Sequence, residues 1–201
     1  MRAFLLLTIS FLTVVGCTHN DENESAITDP HTTPELEPVD QEDDMVVVEY
    51  QNDNMERGDN PYNYLGRSLI IDPLHEDIQR GEVIYYERPD SYYDYLEERK
   101  EGFLQPIPEH IARVIALPGE TIKIKDGQIY IDDKELDTFY GDVTQNPRSS
   151  DADGEFNLDA VQVPEDHVFV LGDLLWRSID SKQYGPIQVD NIIGKIQGYQ
   201  K

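Results

Sequence analysis

The chain has 201 residues, with 41 Asp and Glu against 16 Lys and Arg, a formal charge of −25 and a pI near 4.3. Phosphate contacts need clusters of Lys and Arg, so this charge balance excludes nucleic acid as a partner. It also rules out adhesion to anionic lipid by charge, while the roughly 155 residues from position 46 onward suffice for one domain with a real core.

The chain begins with Met1-Arg2, a short positive region, followed by the uncharged apolar stretch Ala3 to Val15. At roughly 13 residues that stretch is too short to span a bilayer as a helix, which takes about 20, so it reads as an export signal. It ends in Val14-Val15-Gly16-Cys17, which resembles a bacterial lipobox. The resemblance implies a lipoprotein signal peptide over residues 1–16 and a diacylglycerol on Cys17 as the new N-terminus. Cys17 is the single cysteine, so no intramolecular disulfide is possible and lipidation accounts for the lone thiol. The implied location is the extracytoplasmic face of a bacterial cell membrane, held by lipid alone.

Residues 17–45 hold no Lys or Arg, many Asp and Glu, and Pro30, Pro34 and Pro38. Such a composition predicts a disordered, self-repelling tether, with its acidity read as a solvated spacer rather than a calcium site. From residue 46 the pattern turns β-like. Short β-branched runs occur at 45–50, 68–72, 82–86, 110–116, 120–125, 128–132, 166–171 and 191–196. Asp126-Gly127 between two of them predicts a tight hairpin turn. Residues 91–102 predict a short helix or mobile loop, and 139–159 an exposed loop. The expected fold of residues 46–201 is therefore all-β, made of short antiparallel strands and hairpins.

Three segments, in order, resemble the type I signal peptidase family. Ile111-Ala-Arg-Val-Ile-Ala-Leu-Pro-Gly-Glu120 and the hairpin behind it are similar to the family's Lys-Arg-Val box. Val163-Pro-Glu-Asp-His-Val-Phe-Val-Leu-Gly-Asp173, with Ser178-Ile-Asp-Ser181 and Gly185, is similar to its Gly-Asp-Asn and Ser-x-Asp-Ser boxes. Met55, Ile71-Asp72, Arg80-Gly81-Glu82-Val83 and Pro89 are similar to the stretch that starts at the catalytic serine.

In that family a serine attacks the peptide carbonyl, and a lysine kept neutral by an apolar pocket takes its proton. The resemblance places Asn54 where the serine stands, just before Met55, and Ala112 where the lysine stands, just before Arg113. An amide is not a useful nucleophile and alanine moves no proton, so a catalytically inactive homologue is expected. Asn52 falls where the family has an oxyanion-hole donor. Asp173, Ser178, Asp180 and Ser181 match positions that orient the lysine and support the site, and the plain alternative is that they hold the β framework together. His110 shares a strand face with Ala112 but reads as a strand-edge residue, and Ser68 as a packing residue. Asp173-Leu-Leu-Trp-Arg177 puts apolar bulk where the family is polar.

No cofactor or metal is implied. The membrane, through Cys17, is one expected partner, and exported preproteins, a working signal peptidase or another envelope protein are the others. The leading expectation is a membrane-anchored domain that binds such a peptide or protein without cutting it. An active peptidase with a displaced site and a non-catalytic envelope scaffold are the alternatives.

Overall fold

The computed structural model describes residues 26–57, 64–73, 77–99, 107–146, 154 and 156–201. Among them, two curled sheets carry nearly all regular structure. The smaller is built from β1 (Ile27–Thr28), β7 (Thr121–Lys125), β8 (Gln128–Ile131), β9 (Lys134–Asp137) and β10 (Leu158–Gln162), in the order β1-β9-β8-β7-β10. The larger runs β12 (Ile187–Gln188), β11 (His167–Leu171), β6 (Glu109–Ala116), β5 (Val83–Glu87), β13 (Ile192–Gln200), β4 (Arg67–Asp72) and β3 (Val46–Tyr50), with β2 (Pro38–Val39) also on β13. All these pairings are antiparallel except those of β1 and β2, so hairpins and returns connect the chain without crossover helices.

The hairpin at Asp126-Gly127 forms as the sequence predicts. Both residues take positive φ, 50° and 91°, the backbone that a two-residue turn between twisted strands requires. Gly127 is needed for a second reason, because a Cβ there would stand 2.3 Å from the Thr144 methyl.

β6 is the centre of the molecule. His110 through Ala116 are all buried, which explains why the sequence there is mostly apolar without alternation, its two polar members, His110 and Arg113, being buried as well. Ile115 and Ala116 enter a core with the smaller sheet, Ala112 and Val114 pack with Tyr86 and Val170, and Ile111 packs with Tyr50, Met55 and Leu69. The helix α1 (Asp90–Glu98) lays Tyr92 and Leu96 on the second of these cores. The short α2 (Ser181–Tyr184) adds Tyr184 to the same core.

Two expectations are corrected. The acidic segment 17–45 is not a free tether along its described part. β1 pairs with β9, β2 pairs with β13, and Asp29 accepts a 2.8 Å hydrogen bond from the Tyr140 hydroxyl. Ile27 and Leu36 pack against the cores as partly buried residues. Composition measures how much apolar surface a segment can bury, but backbone pairing to two waiting strand edges satisfies its polar groups regardless of composition. Cys17 and the rest of the segment lie outside the described residues. The second correction concerns 139–159, where Tyr140, Val143 and Asn146 are buried and β10 begins at Leu158.

Candidate functional site

The site forms where the chain leaves β3 and passes under the start of β6. Residues 109–112 of β6 pair only with β5, since the ladder to β11 begins at Arg113. β3 pairs only with β4. The curl of the sheet brings these two free edges together around a groove of about 680 Å³ lined by Tyr50, Asn52, Asp53, Tyr85, Glu109 and His110, among others.

Asn54 lies beneath the groove, fully buried behind its lining residues Tyr50 and His110. Its amide nitrogen donates to the Ile111 carbonyl at 2.9 Å and lies 3.2 Å from His110 Nε2, while Tyr50 donates its hydroxyl hydrogen to Asn54 Oδ1. Both ends of the amide are therefore engaged. Asn52 lines the groove and accepts the Asn54 backbone N–H at 3.2 Å through Oδ1. Met55 and Ala112 are fully buried. Burial raises the Tyr50 hydroxyl pKa well above its ordinary value, so Tyr50 is a donor and not a base.

The segment after β11 closes the other side. Leu174 donates its backbone N–H to the Asn54 carbonyl at 2.8 Å. Carrying the Leu171–Arg113 register one step on brings Gly172 alongside Ala112. A Cβ on Gly172 would lie 2.6 Å from Ser178 Oγ and 3.0 Å from the Asn54 carbonyl oxygen, so three groups converge where only a glycine fits. Ser178 Oγ is buried and has no hydrogen-bond partner. Such an orphan is uncommon in a folded interior.

Asp180 caps α2. Its carboxylate accepts the Lys182 and Gly172 backbone N–H groups at 3.0 and 2.8 Å, and Gln183 returns a bond to its own N–H, completing a capping box. Ser181 Oγ accepts the Val170 N–H at 3.0 Å. Arg113 holds Asp173 through two parallel bonds of 2.8 and 2.7 Å, and gives a third, of 2.7 Å, to the Gly81 carbonyl. Arg113, Asp173, Asp180 and Ser181 therefore make framework bonds through their side chains, while the Ser178 side chain makes none. Leu174 and Leu175 supply the apolar bulk expected of the 173–177 run, but Trp176 is 48% exposed and does not line the groove.

His110 lies on the free-edge part of β6, but its side chain is buried and engaged rather than open to solvent. It is 1% exposed, reaches Asn54, and packs edge-on to the Tyr86 ring at 6.0 Å. Burial, with a smaller contribution from the Arg88 charge, holds its pKa well below the usual histidine value. The folded chain therefore keeps His110 neutral while the unfolded chain protonates it below about pH 6.5. Stability from this group is fully present above that pH and is lost as pH falls towards the folded pKa, at up to about 1.4 kcal/mol per pH unit. His110→Gln is expected to flatten the fall in urea midpoint between neutral and mildly acid pH, and an unchanged profile would contradict it.

Two contributors were invisible in the sequence. Asn146 donates to the backbone carbonyls of Glu56 and Asp173 at 3.1 and 3.0 Å, tying both walls together. Buried Glu56 accepts the N–H groups of Tyr64 and Leu65 at 3.0 and 2.8 Å. Neither lies in a recognisable motif, and only long-range contact reveals them. Among the described residues no group of three or more His, Cys, Asp or Glu is placed to hold a metal.

A family model described as "Signal peptidase, peptidase S26" matches residues 30–199. This chain belongs to that signal peptidase family. Signal peptidase I V of Bacillus subtilis is 41% identical over 97 residues, covering 44% of this chain and 58% of that protein. A probable signal peptidase I-1 of Synechocystis is 33% identical over 116 residues, covering 58% and 51%. Signal peptidase I of Bacillus caldolyticus is 33% identical over 139 residues, covering 65% and 68%. The chain thus spans between about half and two thirds of these relatives' length. A crystal structure of a signal peptidase I from Enterococcus faecalis aligns at TM-score 0.44 and 24% identity, covering 60% of this chain and 97% of that one. The family match begins at residue 30, inside the segment expected to be a tether. Among the described residues no helix is long and apolar enough to cross a membrane.

Proposed function

We propose that this chain is a non-cleaving member of the signal peptidase family that binds extended peptide segments of exported proteins at the membrane surface. The observation that carries the reading is the pair Asn54 and Ala112. Both are fully buried at the positions that resemble the family's serine and lysine, and the Asn54 amide is locked into bonds with Tyr50 and Ile111. The orphaned Ser178 Oγ supports it, since a lysine at 112 is the partner that the family resemblance gives this serine. The two free strand edges flanking the groove support peptide binding, because strand addition needs only backbone donors and acceptors. Preproteins are the leading ligand, and a working signal peptidase or another envelope protein is a further partner of the same kind.

The anchor belongs to the same proposal. Lipid on Cys17 would hold the domain on the extracytoplasmic face. With the described chain laid on the domain from residue 26, the stretch from Cys17 to that point reaches at most about 30 Å when extended. The domain is then kept close to the bilayer rather than ranging far from it.

The second reading is an active peptidase, favoured by the similarity to relatives that are named signal peptidases. The full chain in detergent, incubated with a preprotein, separates the two. No cleavage above background is expected. Efficient cleavage that Asn54→Ala abolishes would sink the non-cleaving reading. Fractionation of producing cells tests the anchor, and a wholly soluble chain would overturn it.

A further inference from the structure

The groove is lopsided in charge. Asp53 and Arg177 both line it, and Arg177 Nε bonds the two Asp53 oxygens at 3.0 and 2.9 Å, so this pair is neutral. Glu49 and Glu109 also line it. Neither is in an ion pair among the described residues, and Glu49 only accepts the Ser68 hydroxyl. Glu109 stands directly across the β5–β6 ladder from Glu87, and both are exposed. Like charges opposed in this way destabilise a sheet, so the arrangement gains most from a cation placed beside it.

The walls between these carboxylates suit the body of such a cation. Ile107 is 53% exposed at the rim, and Tyr85 is half-buried beside it. Lys and Arg lay an aliphatic stem along apolar surface while the charged head reaches for a carboxylate, and an aromatic ring adds attraction. Burial and the neighbouring Glu109 charge raise the Tyr85 hydroxyl pKa, which agrees with a carboxylate held against this wall.

We propose that the groove selects extended peptide segments carrying Lys or Arg, with the cationic side chain seated between Tyr85 and Ile107 against Glu109 and Glu49. This rests on the peptide-binding reading above and adds the class of segment it takes. A free edge on each side would hold the backbone, and the charge would set the register.

The test uses the full chain in detergent and three labelled peptides of equal length, identical except for Lys, Gln or Glu at central positions. Fluorescence anisotropy is expected to give the Lys peptide a Kd about tenfold below that of the Gln peptide at low salt, with the Glu peptide weaker still. The advantage should shrink as salt is raised. It should fall towards one in Glu49→Gln/Glu109→Gln, with folding checked by an unchanged melting transition. An advantage that persists in that variant would place the cation elsewhere on this acidic chain and overturn the inference. Equal binding of all three peptides would overturn it too, while leaving the peptide-binding reading intact. No saturable binding of any peptide would remove both.

Discussion

Replacing Asp173 with alanine is expected to lower stability by about 3–5 kcal/mol, the loss typical of a buried ion pair with one partner removed. The side chains of Arg113 and Asp173 are 2% and 3% exposed, and the two parallel bonds of 2.8 and 2.7 Å consume both carboxylate oxygens. Without Asp173 the guanidinium keeps its bond to the Gly81 carbonyl, its contact with the Tyr64 hydroxyl and the faces of Phe139 and Tyr140, 5.0 and 5.3 Å away, but no counter-charge of its own. Arg57, whose Nε lies 3.9 Å from the same carboxylate, would also lose its counter-charge. Urea unfolding measures the loss as a shift in midpoint at constant slope. The paired change Arg113→Met/Asp173→Leu should cost much less than Asp173→Ala, because it removes the charge with its partner. If the single change costs under about 1 kcal/mol, the pair is not what braces this wall of the site.

The second large effect is a gain. Asn54→Ser with Ala112→Lys is expected to raise preprotein cleavage at least about a hundredfold over background, while either change alone gives nothing, since nucleophile and base act as a unit. The geometry favours the lysine. Its ammonium would enter a region with no exposure at Ala112, where desolvation lowers an amine's pKa by several units into the range of a general base. Ser178 Oγ, buried and unpartnered, offers it a hydrogen bond. The serine would replace an amide now bonded to Tyr50 and Ile111. Overpacking by the longer side chain costs about 1–3 kcal/mol, so folding of the variant is checked by its unfolding transition before cleavage is scored by mass spectrometry. A folded double variant that cleaves nothing would show that the groove is not shaped for catalysis, and would favour a scaffold role.

Much of the β framework was legible because it follows from local pattern. The β-branched runs became β3 to β8, β11 and β13, and Asp126-Gly127 made its turn. The residues 91–102 expected to form a helix or loop yielded α1 over Asp90–Glu98. β9 was missed because Lys134–Asp137 is a charged stretch whose strand character comes from its pairing partners, β8 and β1. The candidate positions Asn54, Ala112, Asp173, Ser178 and Asp180 were legible, since each follows from a motif. Their working states were not. Asp180 turned out to be a helix cap and Ser178 an orphan, although they are two residues apart in the same motif.

The sequence alone determined the identities on which the chemistry depends. It sets an amide at 54 and a methyl at 112, the two identities on which the non-cleaving proposal rests, because reactivity belongs to the functional group. It also determined the acidity of the chain and most of the strands, which depend on residue type and on β-branched runs. Only the tertiary structure decided three other things. It laid residues 26–45 along the domain, put His110 against Asn54, and joined the free edges of β3 and β6 around a groove holding Glu49 and Glu109. Each depends on groups far apart in the chain being brought together in space. Such meetings are set by how the sheet curls, and no local pattern of residues encodes that curl.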